Sequence, residues 1–393
     1  MSFGFYNIPR LLDFSFDPNP RTGSAAVFLW GARQTGKTTL LKTRLPDALY
    51  LDLLDTDLSA ELLLRPALLR QRVLAERPEV VVLDEIQKVP VLLEQVHWLL
   101  ENTATRFVLC GSSARKLRRG GVNLLGGRAT EARLFPLTSA ELPDIDLERY
   151  INHGGLPAHY LSEDPVPLLR SYVNTYLKQE IIEESVTRNI PAFSRFLEIV
   201  GLTHARELNF TSVARECGVS AATVRNYYQI LEDTLMGFRL EPWRHRKRMR
   251  LVETSKFYLF DTGVALYLMP EGHRAIAGTD LFGRAFEQFV INEMRAWCEY
   301  RRSYRRLYFW RTYSGYEVDL VVGDMELAVE IKASRRVTST ELKSLRRLRE
   351  EFSVGRSIVV CREDAARTTE DGIEILPWRE FCARLWAGEI LEA

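Results

Sequence analysis

The run Gly31-Ala32-Arg33-Gln34-Thr35-Gly36-Lys37-Thr38, directly after the apolar residues 25–30, constrains this chain more than any other segment. It meets the spacing G-x-x-x-x-G-K-[ST] at every fixed position. Such a run calls for a strand that stops, a tight loop with inward N–H groups, and a helix whose amino end faces the loop. The glycines permit the turn, Lys37 supplies a point charge for β- and γ-phosphate oxygens, and Thr38 offers a hydroxyl to Mg²⁺. The expected ligand is ATP or GTP, cradled by Gly31, Ala32, Arg33, Gln34, Thr35, Gly36, Lys37, Thr38 and Thr39, with ATP and Mg²⁺ as the working cofactors.

A second signal lies downstream. Glu79-Val80-Val81-Val82-Leu83-Asp84-Glu85 is a β-branched run ending in two carboxylates, the pattern of a buried parallel strand. Ligands of open α/β sheets gather at the carboxyl ends of strands. Asp84 is therefore expected in the Mg²⁺ shell, and Glu85 as the base that polarises an attacking water. The alternative is that both acids cap a helix starting near Val89-Pro90. Residues 27–30, 48–52, 80–83 and 107–110 alternate with helical patterns after Lys37, over 58–74 and over 91–100, which implies βαβ units and a parallel sheet. Ser112 and Ser113 end the last of these strands as γ-phosphate sensors, or as a plain turn of small residues. Arg128, following Gly126-Gly127, is the candidate arginine finger reaching a neighbouring subunit; its alternative is a solvated loop arginine.

At 393 residues the chain should form two to four domains, and 46% hydrophobic with 27% charged residues is the composition of a soluble globular protein. No stretch of about 20 apolar residues and no basic-then-apolar start occurs, so no membrane segment is expected and the location is expected to be cytoplasmic. Five scattered cysteines without a C-x-x-C pair argue against a disulfide framework and a zinc cage. A net charge of +1 excludes little, because bases and acids can be sorted into patches.

Residues 147–202 read as helical, broken at Gly154-Gly155-Leu156-Pro157, and fit a small lid. Residues 210–231 then read as helix, Gly218 turn, Ser220 cap and second helix, a helix-turn-helix pattern. Thr223, Arg225 and Asn226 lie at the start of the second helix, where DNA contacts arise, although such a module can instead pack on its own domain. Beyond it, Trp243-Arg244-His245-Arg246-Lys247-Arg248 sits between two apolar strands like the wing of a winged helix. Arg244, Arg246, Lys247 and Arg248 suit phosphates, or form a solvated hairpin.

In the C-terminal part, residues 283–294 form an amphipathic helical pattern carrying Glu287, followed by Glu317-Val318-Asp319-Leu320-Val321-Val322, a Gly323-Asp324 turn and Glu326-Leu327-Ala328-Val329-Glu330-Ile331-Lys332. Strand alternation aims Glu330 and Lys332 at Asp319 across a hairpin. Clustered carboxylates bind Mg²⁺ and an adjacent lysine helps activate water, so Asp319 and Glu330 are candidate metal ligands for phosphodiester hydrolysis. The bland counterpart is a half-buried hairpin with a weak surface ion pair.

GARQTGKT, VVVLDEIQ, CGSSA with the later GGR, LFPLTSAEL, KFYLFDTG and EVDLVV with EIKAS, in this order, resemble a prokaryotic family of AAA-type P-loop ATPases with a nuclease-like C-terminal domain. The resemblance covers nearly the whole chain. It implies Lys37, Thr38, Asp84 and Glu85 in nucleotide chemistry, Ser112 or Ser113 as sensor, and Arg128 as finger. It also implies that Glu287, Asp319, Glu330 and Lys332 correspond to the acids and lysine of the PD-(D/E)XK nuclease superfamily, with Val318 where that name has Pro. The expected fold is α/β: a P-loop core over 1–142, a helical lid over 143–202, a winged helix-turn-helix over 203–260 and a small α/β nuclease-like domain over 261–393. The expected function is a Mg²⁺-dependent ATPase acting on DNA as a homo-oligomeric ring such as a hexamer, with an endonuclease centre. Two alternatives remain: a nucleotide-switched regulator that contacts proteins and cuts nothing, and a defence effector whose nuclease is released by ATP turnover.

Overall fold

The computed structural model describes residues 8–14, 25–113, 125, 128–177, 189–244, 254–269 and 274–392. Chain contacts divide it into two compact units. The first comprises Met1–Phe135 with Asp233–Leu235, the second Pro136–Glu232 with Met236–Ala393.

The first unit is built on β1 (Ala26–Trp30), β2 (Leu49–Asp52), β3 (Val80–Asp84), β4 (Arg106–Gly111) and β5 (Ala129–Arg133), in the order β2-β3-β4-β1-β5. Every pairing is parallel. The strands β1 and β3 are buried along their whole length, as expected of apolar runs covered on both faces. The helices are α1 (Lys37–Arg44), α2 (Thr56–Leu64), α3 (Ala67–Glu76) and α4 (Leu92–Asn102). The leucine-rich stretch expected as one helix over 58–74 is two, because Pro66 lacks an N–H and forces Arg65 out of the helical region to φ −135° and ψ 71°. Asp55 starts α2 by accepting the N–H of Asp57 at 3.0 Å. Since the strands are parallel, the carboxyl ends of β1, β3 and β4 share one edge, and that edge carries Gly31, Asp84 and Ser112.

The second unit opens with α5 (Leu147–His153), α6 (Pro157–Leu161), α7 (Val166–Ser171), a π-helical turn at Tyr172–Leu177, and α8 (Ile190–Leu202). Then come β6 (Arg206–Glu207), α9 (Phe210–Cys217), α10 (Ala221–Asp233), β7 (Gly237–Pro242), β8 (Lys256–Leu259), α11 (Thr262–Tyr267) and α12 (Asp280–Tyr300). The chain ends through β9 (Leu307–Arg311), β10 (Glu317–Val322), β11 (Leu327–Ile331), α13 (Lys343–Glu351), β12 (Arg356–Cys361), β13 (Arg367–Thr368), β14 (Glu374–Pro377) and α14 (Trp378–Ala387). Nine of these strands form one sheet in the order β13-β14-β12-β11-β10-β9-β7-β8-β6. The strand leading into the basic run is part of it, since β7 pairs in parallel with β9, Glu241 opposite Tyr308. Among the described residues no helix is long and apolar enough to cross a membrane. All five cysteines are buried and free.

The long helix α12 buries Glu293, whose carboxylate accepts Ser139 N at 2.7 Å, Ser139 Oγ at 2.6 Å and Trp386 Nε1 at 2.7 Å. Burial outweighs these hydrogen bonds and pushes its pKa up to about 7. A carboxyl whose folded pKa is raised stabilises the fold below its unfolded value of about 4.3 and loses that contribution as pH rises through the folded value. Thermal stability should therefore fall between about pH 4.3 and 7, by up to roughly 4 kcal/mol from this group. Melting curves across that range should slope less in Glu293→Gln; an equal slope would remove Glu293 as the cause.

Candidate nucleotide site and acidic centre

The loop after β1 turns through Gln34 at φ 64° and Gly36 at φ 94°, left-handed backbone that glycine accepts most readily. A side chain at Gly31 would meet Leu134 O at 2.8 Å, so this position too requires glycine. Thr35 Oγ1 donates to Ala32 O at 2.9 Å. The buried Lys37 ammonium folds over the loop and donates to Gly31 O at 2.7 Å and Ala32 O at 3.1 Å. Lys37 and Thr38 open α1, so loop, ammonium and helix amino end share one locus, the arrangement that binds a polyphosphate.

Asp84 ties this loop to β3. Its Oδ2 accepts Thr38 Oγ1 at 2.8 Å and is also hydrogen-bonded by the Tyr50 hydroxyl, while Oδ1 accepts Glu85 N at 3.1 Å. Burial first, and the Asp84 carboxylate second, raise the Tyr50 pKa far above its ordinary value, so the phenol keeps its proton and donates. The adjacent hydroxyl and carboxylate of Thr38 and Asp84 fit a Mg²⁺ ion, which needs only one or two protein oxygens when phosphates and water complete its shell. Glu85 stands at φ 59°, a strained conformation for a side-chain-bearing residue at the tip of β3. Its Oε2 is hydrogen-bonded by Gln87 Nε2, which also donates to the buried Ser112 Oγ at 3.1 Å. Ser112 thus joins the Glu85 cluster. A Cβ at Gly111 would collide with Gln87 Oε1.

In the second unit the register Leu320 opposite Val329 sets Asp319 against Glu330. Like charges so placed repel. Lys332 Nζ lies 2.6 Å from Glu330 Oε1 and 3.9 Å from Asp319 Oδ2, and that Asp319 oxygen accepts Ile331 N at 2.7 Å. Burial, then the Asp319 charge, hold the Glu330 pKa well above the usual range. Glu287 on α12 belongs to the same neighbourhood, but its Oε1 accepts Lys256 Nζ at 3.0 Å and the Tyr258 hydroxyl at 2.5 Å. Among the described residues, no group of three or more His, Cys, Asp or Glu is arranged to hold a metal ion.

The helix pair α9–α10 is joined by Gly218 at φ 69°, and Ser220 Oγ accepts Thr223 N at 3.1 Å. Arg225 and Asn226 are exposed, with the Arg225 guanidinium 5.2 Å from the Phe210 ring centroid. Trp243 does not join a phosphate surface: it is buried and packs edge-on to Phe352 at 4.9 Å. Arg244 is exposed, whereas Arg246, Lys247 and Arg248 lie outside the described residues, as do Gly126 and Gly127.

Residues 23–142 match the AAA domain family. Residues 144–274 and 282–381 match two domains of unknown function, DUF8612 and DUF4143. The AAA match spans the phosphate loop and the parallel sheet of the first unit. An uncharacterized protein of Mycobacterium tuberculosis is 25% identical over 360 residues, covering 89% of this chain and 79% of its own. One from Haemophilus influenzae is 23% identical over 201 residues, covering 46% and 50%. Among solved structures, the Walker-type ATPase of Pyrococcus abyssi aligns with a TM-score of 0.39 at 14% identity, over 62% of this chain and 91% of that one. A signal transduction ATPase with a tetratricopeptide repeat sensor from Pyrococcus horikoshii aligns with a TM-score of 0.21 at 12% identity, over 71% and 45%.

Within the first unit, Arg128 precedes β5 and pairs with Glu101 Oε1 of α4 at 2.8 Å. The parallel register Ala26 opposite Ala129 puts it at the amino edge of the sheet, away from the phosphate loop of its own subunit. Gln87, the last residue of VVVLDEIQ, takes no role from the sequence, and two residues with no motif signal, Tyr50 and Arg10, complete the site. The buried Arg10 guanidinium donates to Thr35 O in the phosphate loop and, at 2.6 Å, to Phe135 O. Hydrogen bonds from a charged donor contribute roughly 1.5–3 kcal/mol, so Arg10→Ala should weaken ATP binding by about ten- to a hundredfold, with Arg10→Lys intermediate. Unchanged ATP affinity in Arg10→Ala would show that the loop holds its shape without this clamp.

Proposed function

We propose that the chain is a Mg²⁺-dependent ATPase that couples hydrolysis to action on DNA. The observation that carries the ATPase part of this reading is the Thr38–Asp84 hydrogen bond with Glu85 alongside, linked through Gln87 to Ser112. Lys37 and the loop hold the β- and γ-phosphates, and Thr38 and Asp84 hold the ion, which when bound neutralises charge on the transferring phosphoryl group. Glu85 receives the proton of the attacking water, and Ser112, with Ser113 beside it, orients the Glu85 cluster. Arg128 sits at the wrong edge of the sheet to serve its own subunit, so its finger role requires a homo-oligomer in which it reaches a neighbour's triphosphate. Thr223, Arg225 and Asn226, with Arg244 and the basic residues Arg246, Lys247 and Arg248, supply contacts to DNA phosphates and base edges. The free, buried cysteines suit the reducing cytoplasm.

A second reading makes the chain a nucleotide-switched regulator that cuts no strand. The hold of Lys256 on Glu287 favours it over an endonuclease role for Glu287, Asp319, Glu330 and Lys332.

Glu85→Gln should retain ATP binding and lower kcat by about 10² to 10⁴, the range for loss of a general base, whereas Lys37→Ala should lose binding. Equal steady-state rates in wild type and Glu85→Gln would take Glu85 out of the mechanism. DNA affinity should fall linearly on a log–log plot against salt, and Arg225→Ala should reduce the slope by about one. No binding of single-stranded, duplex or branched DNA at low salt would discard the DNA reading and leave the regulator.

A further inference from the structure

We propose that the acidic centre of the second unit carries its own cation, the Lys256 ammonium, and takes no catalytic divalent ion. Lys256 lies on β8 and is 4% exposed. Its Nζ is 3.0 Å from Glu287 Oε1 and 2.6 Å from Glu317 Oε1. Tyr258, two residues further on the same face of the strand, donates to the same Glu287 oxygen at 2.5 Å. Glu317 is also engaged by Arg311 Nη1 at 3.0 Å. On the hairpin, Lys332 stands between Asp319 and Glu330.

A hard cation of the Mg²⁺ class needs carboxylate lone pairs converging on one point, at 2.0–2.6 Å from each oxygen. Here Glu287 and Glu317 meet the Lys256 ammonium and Glu330 meets Lys332, while Asp319 Oδ2 accepts Ile331 N. Lys332 alone does not settle the matter, because it pairs closely with Glu330 and only distantly with Asp319. Lys256 is different. It bridges Glu287 and Glu317 and removes the helix carboxylate from the set, so an incoming ion would have to expel a buried ammonium from two partners. Glu330 Oε2 is buried without a hydrogen-bond partner, while the other oxygen of that carboxylate meets Lys332. An ammonium offsets negative charge as an ion does, but it is no Lewis acid and generates no hydroxide. The centre therefore keeps its carboxylates together without cutting phosphodiesters. This rests on the second reading of the function, in which no strand is cut, and is independent of ATP hydrolysis in the first unit.

The test uses the full chain without nucleotide, carrying Asp84→Asn to remove the candidate ion site of the first unit, and Mn²⁺ alone as the calorimetric probe. No saturable uptake is expected below about 1 mM, the weak end of oxygen-ligand sites. Asp319→Asn should leave the titration unchanged, and Lys256→Met should gain a site at least about tenfold tighter. Uptake of Mn²⁺ by the parent chain that Asp319→Asn abolishes would overturn the proposal, as would Mg²⁺-dependent DNA cleavage lost in Asp319→Asn. If Lys256→Met does not fold, the Asp319→Asn comparison decides alone. ATP turnover, measured on chains with Asp84 intact, reports separately on the ATPase assignment.

Discussion

The hydroxyl of Thr38 donates to Asp84 across the tip of β4, the strand lying between β1 and β3, and the candidate nucleotide site of the first unit is organised around that bond. It joins the first turn of α1 to the end of a strand that does not touch β1 in the sheet. Asp84 can serve this role only because β3 is parallel to β4 and ends level with it, Asp84 opposite Cys110. The next residues on each strand then become neighbours: Glu85 on β3 and Ser112 beyond β4, with Gln87 bonded to both. Under the proposed function, that pair of oxygens and Glu85 on one edge would be preorganised for charge developing in phosphoryl transfer.

The second unit solves a different electrostatic problem. Its hairpin sets two acids opposite each other, with a third on α12 and a fourth at the start of β10. Burying such a set is costly unless cations accompany it. Lys332, Lys256 and Arg311 do so, and their presence holds the cluster together. The mutual charges raise the Lys332 and Lys256 pKa values despite burial, so both remain ammonium. The sheet carries this centre and the strand leading to the basic run together, because β7 adds directly to β9.

Local chemistry was legible in the sequence. Fixed glycines and uninterrupted apolar runs determine β1, α1 and β3 through short-range effects, and the alternation in residues 326–332 aimed Glu330 and Lys332 at Asp319, as the distances bear out. The leucine periodicity over 58–74 concealed the break at Pro66. Arg10 and Tyr50 carried no signal because each acts through tertiary contact, Arg10 with a loop far along the chain and Tyr50 from a neighbouring strand. Lys256 and Tyr258 could be placed on one strand face by alternation, but nothing local indicated that α12 brings Glu287 to meet them. Trp243 looked like a companion of the basic run, and the core around Phe352 claimed it instead.

The most direct measurement is isothermal calorimetry of ATP into the full chain, once with Mg²⁺ and once with the ion chelated. The account predicts saturable binding of one nucleotide per chain that is markedly tighter with Mg²⁺, because Thr38 and Asp84 engage the nucleotide through the ion. Absence of binding heat from ATP under both conditions, on folded protein, would contradict it.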